Sequence, residues 1–270
     1  MDSLGVVSCW GAPPSWNNYG QQIPVDGSYI QVSAGYEHTC GIKEDLSVIC
    51  WGKETEGEFE PPDLLFSQLA AGDFHTCGLK NDQSIACWGQ NDASGQSSPP
   101  EGSFLWVDSG GYRSCGIQLD GTLKCWGEDT VGPYAPPEDS FSEVAVGRYH
   151  MCGRKEDGTL LCWGRNDYQQ AEPPEGSFSS IAVGNFFSCG LRDEGSVECW
   201  GGGSSGQSVA PEGSFVLLDS GTQHSCAIDN DQALSCWGLN TEGQSDPLSG
   251  SFSQVSAGGT HSCALRLDNS

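Results

Sequence analysis

Ala71-Gly-Asp-Phe-His-Thr-Cys-Gly-Leu-Lys-Asn-Asp-Gln-Ser-Ile-Ala-Cys-Trp-Gly89 is the unit from which the chain is written. Two short apolar segments, each holding one cysteine, flank the polar run Lys80-Asn-Asp-Gln83. That is the pattern of a β-hairpin. Cys-Trp-Gly occurs seven times, starting at Cys9, Cys50, Cys87, Cys125, Cys162, Cys199 and Cys236. A second cysteine series falls at Cys40, Cys77, Cys115, Cys152, Cys189, Cys226 and Cys263, in steps of 37 or 38 residues, and completes the fourteen cysteines. Self-similarity at such a period marks a repeat architecture.

Other columns keep the same period. Eleven residues before each cysteine of the second series stands an aromatic: Tyr29, Phe66, Phe104, Phe141, Phe178, Phe215 or Phe252. Five residues before it stands a glycine, from Gly35 to Gly258. Two residues before it stands His38, His75, Arg113, His150, Phe187, His224 or His261, so every histidine occupies one column. Segments such as Phe178-Ser-Ser-Ile-Ala-Val-Gly have strand length and apolar content, and Asp120-Gly121 and Asp157-Gly158 are hairpin signals. A loop such as Gln90-Asn-Asp-Ala-Ser-Gly-Gln96 and a turn such as Pro173-Pro-Glu-Gly176 lead into the next unit. Three to four short strands per unit predict one propeller blade each. The fold class is therefore all-β, a seven-bladed β-propeller over residues 1–270 as one domain.

The two ends argue for a closed ring. Cys9-Trp10-Gly11 is the second half of a hairpin and Cys263-Ala-Leu265 is a first half. In a ring the N- and C-terminal strands pair and build the seventh blade, which leaves no exposed strand edges. Within each full hairpin the cysteines are ten residues apart and their midpoint falls on the turn. Opposed positions on an antiparallel pair suit a disulfide. The expected pairs are Cys40 with Cys50, Cys77 with Cys87, Cys115 with Cys125, Cys152 with Cys162, Cys189 with Cys199 and Cys226 with Cys236. Cys9 would pair with Cys263 as a clasp. Zinc-type Cys-x₂₋₄-Cys spacing is absent, and no metal or other cofactor is expected.

Thirty-six acidic residues stand against 11 basic ones, a formal net charge of -25. Such a surface repels nucleic acid and anionic membranes. Its acidity is that of a soluble protein, or attracts a basic partner or Ca²⁺. No apolar run approaches the roughly 18 residues of a membrane span. Asp2 and Ser3 follow Met1 with no apolar leader, which suggests a mature or trimmed chain, because disulfides on this scale belong to an oxidising, secreted or extracellular setting.

The unit seen in Ala71-Gly-Asp-Phe-His-Thr-Cys-Gly-Leu79, with Leu234-Ser-Cys-Trp-Gly-Leu-Asn-Thr-Glu-Gly-Gln244, resembles the repeats of the regulator-of-chromosome-condensation superfamily. The resemblance covers nearly the whole chain and implies a seven-bladed propeller. It speaks for fold and leaves function open. The nuclear, nucleotide-exchanging branch fits poorly with fourteen cysteines and strong acidity. The plant photoreceptor branch has a Gly-Trp-Arg-His-Thr motif that is missing here. The chain is more similar to the secreted bacterial propeller that inhibits β-lactamases, and to the cysteine-bearing ectodomain of crinkly-type receptor kinases.

Function is sought where the frame varies. The dipeptide after each frame glycine reads Tyr36-Glu37, Asp73-Phe74, Gly111-Tyr112, Arg148-Tyr149, Asn185-Phe186, Thr222-Gln223 and Gly259-Thr260. Its second residue is aromatic in four consecutive units: Phe74, Tyr112, Tyr149 and Phe186. Tyr36 adds a ring at the first position, and the loops after Cys-Trp-Gly add Trp16, Tyr19, Tyr134 and Tyr168. In the resembling inhibitor both places lie on one face and supply partner contacts, and loop aromatics are favoured interface anchors. The histidines and the Cys-Trp-Gly tryptophans read instead as repeated structural elements. No catalytic residues stand out: there is no phosphate loop and no His-Glu-x-x-His. The expectation is an extracellular, non-enzymatic, monomeric module that binds a protein. Alternatives are a carbohydrate-binding propeller, a secreted inhibitor of an enzyme such as a β-lactamase, and a glycan-cleaving enzyme with a carboxylate pair.

Overall fold

The computed structural model describes residues 5–11, 19–53, 60–91, 94–128 and 132–267. Among these residues, twenty-one strands form seven three-stranded antiparallel sheets. Each sheet is one unit of the repeat. In the second blade the strands are Phe66–Ala71, His75–Lys80 and Ile85–Gly89. The seventh blade takes Phe252–Ala257 and His261–Arg266 from one end of the chain and Val6–Gly11 from the other. The predicted closure is thus formed, with Cys9 directly opposite Cys263. All seven expected disulfides are present, one per blade.

The periodic residues each have a packing role. The aromatic of the first strand lies over the residue that follows the first cysteine, and a Cβ on Gly78 would stand 2.3 Å from Phe66 Cδ1. That approach favours the Cys-Gly of five blades, while blades 6 and 7 carry Ala227 and Ala264 at this position. The tryptophan of Cys-Trp-Gly fills the seam between blades. Trp126 packs with Leu79, Ile85, Phe104 and Val107, which belong to its own and the preceding blade. Its indole N–H donates to the carbonyl of Gln96 at 3.0 Å. Trp51, Trp200, Trp237 and Trp10 do the same to Gln21, Gln170, Gln207 and Gln244. The recurring glutamine of the loop is therefore a buried acceptor for the next indole.

The histidines are buried cross-links between blades. His38, His75, His150, His224 and His261 each place Nε2 2.7–2.8 Å from a hydroxyl one residue before the first cysteine of the following blade. Those hydroxyls belong to Thr76, Ser114, Ser188, Ser262 and Thr39. Burial pushes the imidazoles of His75, His150 and His261 down to about 3, and that of His224 to about 4. Where Arg113 replaces histidine, the facing residue is Met151, which has no hydroxyl, and Arg113 Nη1 donates to the Arg148 carbonyl at 3.0 Å instead.

The first strands of all seven blades line a central cavity of about 320 Å³. Their inward polar side chains hold the neighbouring backbone. Gln31 accepts from Leu69 N and donates to Leu69 O, at 2.8 and 3.0 Å. Asp108 accepts from Val146 N at 2.6 Å and Asp219 from Ala257 N at 2.8 Å. Gln254 and Ser256 make the closing links, to Val32 and to Ala34.

The hairpin turns are longer than a two-residue Asp-Gly turn. Lys155 N donates to Thr159 O and Gly158 N to Lys155 O, which makes a three-residue loop. Gly158 ends it in the left-handed region at φ 81°. This is a type I turn followed by a bulge. The aspartate contributes by accepting from the Thr159 backbone and hydroxyl. Leu46, Gln83 and Gln232 occupy the same left-handed position without being glycine, at φ 67–69°. A side chain there costs about 1–2 kcal/mol, partly offset by glycine's greater freedom in the unfolded chain. Gln83→Gly is expected to raise stability by about 0.5–1 kcal/mol in urea denaturation. No gain would mean that the turn tolerates the residue without strain.

Candidate functional site

First and third strands of a blade run parallel, so the loops that follow them emerge on one face. The backbone ties them together. The residue after Cys-Trp-Gly donates to the carbonyl of the second dipeptide residue: Gln90 to Phe74, Glu128 to Tyr112, Arg165 to Tyr149 and Gly202 to Phe186, at 2.7–2.9 Å. Four neighbouring blades thus present an aromatic from the same rigid backbone position.

The side chains form a continuous arc. Tyr36 meets Phe74 at 6.1 Å between ring centroids, and Phe74 meets Tyr112 at 5.7 Å. Tyr149 stacks on Phe186 at 4.7 Å, and Tyr168 meets Phe186 edge-on at 5.6 Å. Arg148 bridges the interval between Tyr112 and Tyr149, 5.6 Å from each ring. Arg165 lies 5.4 Å from both Tyr149 and Phe186. Tyr134, raised on the 3₁₀ turn Gly132–Tyr134, joins through Arg113, whose guanidinium is 4.6 Å from its ring. Tyr19 adjoins the opposite end through Lys53, which lies 4.6 Å from its ring and pairs with Glu37, the neighbour of Tyr36. Trp16 lies outside the described residues. Tyr19 and Tyr168 are exposed and the other described rings are half-buried.

The variation along the dipeptides singles out the aromatics Tyr36, Phe74, Tyr112, Tyr149 and Phe186 and passes over Asp73 and Arg148 at the first position. These form an ion pair, Arg148 Nη1 to Asp73 Oδ2 at 3.1 Å. Burial pushes the Asp73 carboxyl up to about 6, and Arg148 offsets part of that rise. Arg165 pairs with Asp167. The arginines were visible only as isolated letters in variable loops, and their common place between the rings depends on the ring of blades. The string Gly202-Gly203-Ser204-Ser205-Gly206 has the spacing of a nucleophile elbow. It lies in a turn, and no helix follows it among the described residues. Nor do three His, Cys, Asp or Glu side chains gather as metal ligands would among those residues. No helix among them is long and apolar enough to cross a membrane.

Fold and face define a class: a disulfide-stapled seven-bladed propeller with one loop-rich, aromatic face. The repeat profile described as regulator of chromosome condensation (RCC1) repeat matches residues 29–58, 66–96, 141–170, 178–207 and 215–244, more than half of the chain. The chain belongs to the RCC1 repeat family. Among curated protein sequences, none matches it. Among solved structures it is similar to the CRINKLY ectodomain of the Arabidopsis thaliana receptor kinase ACR4, with 25% identity and a TM-score of 0.77 over 91% of this chain and 93% of that one. The ectodomain of the Physcomitrella patens receptor kinase CR4 has 24% identity and a TM-score of 0.77, over 91% of this chain and 72% of that one. Prp20p of Saccharomyces cerevisiae, described with its binding to Gsp1p and histones, shares the fold with 16% identity and a TM-score of 0.83, over 100% of this chain and 93% of that one.

Proposed function

We propose that this chain is an extracellular, non-enzymatic module that binds a protein through the aromatic arc. One observation carries the reading: half-exposed rings recur across five adjacent blades, with Arg148 bridging the one interval between Tyr112 and Tyr149, on backbone that is hydrogen-bonded in place. Pre-organised aromatics lose little entropy on binding and are favoured as anchors. Seven disulfides require an oxidising compartment, and the receptor-ectodomain relatives fit that setting. Carbohydrate is the weaker reading, because Arg148 and Arg165 lie over faces of Tyr112, Tyr149 and Phe186 that a sugar would stack on.

The test is alanine substitution of Phe74, Tyr112, Tyr149 and Phe186, with binding measured against a partner captured from the native extracellular medium. At least one variant is expected to lose about 2 kcal/mol or more of binding energy. Trp126→Ala should instead cost about 3–5 kcal/mol of stability, as for a buried ring. If all four arc variants destabilise as Trp126→Ala does and binding survives, the rings are packing residues. Capture of a glycan in place of a protein would also overturn the reading.

A further inference from the structure

The first strands run toward the arc, so their starting residues and the hairpin turns lie on the opposite face. Backbone bonds fix each turn beside the next blade: Phe104 N donates to Gln83 O and Phe215 N to Gly195 O, each at 2.7 Å. Directly after the frame aromatic stand Ser67, Ser142, Ser179 and Ser253, but Ile30, Leu105 and Val216 in blades 1, 3 and 6. Ser67, Ser142 and Ser179 donate to carbonyls of the adjacent strand, each at 3.1 Å. The apolar replacements forgo that bond and remain in water. Together with Leu217 they are 41–54% exposed.

Exposed apolar residues scattered singly are ordinary, whereas gathered ones mark contact surfaces. Ile30, Leu105 and Trp106 line one groove of about 480 Å³, with Gln31, Gln68 and Gln254 in its wall. Leu217 lines the central cavity together with the same three glutamines and Trp106, which places Val216 and Leu217 at the same mouth. Carboxylates surround this apolar centre. Each hairpin turn of blades 1 to 6 carries at least one. Asp82 is paired with Lys80, but Asp45, Asp120, Asp157, Asp193, Glu194 and Asp231 form no ion pair among the described residues. Hydrogen bonds from Ser47, Thr122 and Thr159 hold the carboxyls of Asp45, Asp120 and Asp157 below the ordinary range, so the rim keeps its charge in mildly acidic medium.

An apolar centre within a charged rim is the anatomy of a protein interface, and charge complementarity selects the partner. A second copy of this chain would bring the same carboxylates against these and is repelled. We propose that the face opposite the arc is a second docking surface, which takes a lysine- or arginine-rich protein segment whose apolar side chains seat among Ile30, Leu105, Trp106 and Leu217. It shares no residue with the arc, so either surface can fail alone.

The probe is the acetylated, amidated peptide Lys-Leu-Lys-Lys-Leu-Leu-Lys-Lys, titrated into the oxidised full chain at about 0.15 M salt. The methyl signals of Ile30, Leu105, Val216 and Leu217 are followed by NMR. Saturation is expected below about 1 mM. A counterpart with glutamate for lysine should leave these signals unmoved, and one with serine for leucine should bind at least about tenfold more weakly. Ile30→Ser, Leu105→Ser and Val216→Ser together restore the serine of the other four blades. That variant should melt near wild type and bind the probe at least about tenfold more weakly, the scale of lost interface anchors. Asp193→Asn with Glu194→Gln, which leaves the apolar centre intact, should also weaken the probe. Phe186→Ala, on the arc, should not. Failure to saturate, equal shifts with the glutamate peptide, or undiminished binding by the serine or the rim variant would each overturn the proposal. If the chain alone dimerises in sedimentation and the serine variant does not, the surface joins two copies and the basic partner is ruled out.

Discussion

Replacing Cys9 and Cys263 together by serine is expected to cost about 5 kcal/mol, roughly twice the cost of replacing Cys152 and Cys162. The two bridges differ mainly in the chain they enclose. The clasp joins positions 254 apart and each hairpin bridge joins positions ten apart. In the chain-entropy model the longer loop restricts the unfolded ensemble far more, about 5 against about 2.7 kcal/mol. Cys152 and Cys263 are both fully buried, so the local cost of a serine is similar and the difference reports loop length. The clasp variant should still fold. Gln254, Ser256 and His261 continue to bind blade 7 to blade 1 through Val32, Ala34 and Thr39. At about 2–4 °C per kcal/mol, the clasp variant should melt several degrees below the hairpin variant. Equal melting points would show that the ring is closed by these hydrogen bonds alone.

The second large effect concerns Asp108. Burial, reinforced by the charges of Asp219 and Glu143, pushes its carboxyl up to about 7, although it accepts from the backbone of Val146 and Ser109. A raised carboxyl pKa means that the folded state holds a proton the unfolded state has released. Its stabilising contribution is present below the unfolded value near 3.8 and is lost as pH rises through about 7. Asp108→Asn removes that loss and keeps one acceptor. It is expected to raise stability at pH 7.5 by about 3 kcal/mol, from 1.36 kcal/mol per pH unit less one hydrogen bond, and to change little at pH 4.

The same linkage sets the slope between pH 4.5 and 5.5. There the unfolded chain binds protons on His75, His150, His224 and His261 that the fold refuses. The fold keeps protons on Asp73, Asp108 and Asp219 that the unfolded chain has lost. These groups favour a stability that climbs with pH, and removing the proton held on Asp108 should steepen the slope by about 1.4 kcal/mol per pH unit in Asp108→Asn. Urea denaturation across this window checks both slopes. An unchanged slope in the variant would place the Asp108 pKa near its ordinary value.

Blade count, ring closure and cysteine pairing were legible because they depend only on column and period. Cys9 and Cys263 announced their partnership by each lacking the other half of a hairpin. The arc rings stood out as variation on a fixed frame, and the fold brings the described ones along one face. Their role as a contact surface is a matter for the binding test. What stayed hidden depends on neighbours one blade away. Nothing near His38 in sequence points to Thr76, and the compensation of Arg113 by Met151 needs both columns aligned across a junction. The three-residue turn was missed because Asp-Gly suits two turn types, and Leu46 and Gln83 carry no glycine to mark the left-handed position.

The first-strand side chains that reach a neighbouring blade's backbone all point one way. Gln31, Gln68, Trp106, Asp108 and Glu143 each reach from their own blade to the backbone of the blade that follows in sequence. The histidines reach the same way, to hydroxyl groups of the following blade. During synthesis, each blade leaving the ribosome meets a predecessor whose connecting side chains are already made, in keeping with N-terminal-first folding. Only the joint from blade 7 back to blade 1, spanning 222 positions, runs against the direction of translation. Until it forms, Val32 N, Ala34 N and the Thr39 hydroxyl wait without these closing partners. A nascent chain stalled before residue 254 would therefore display a known, unfinished edge to the machinery that judges folding in its compartment.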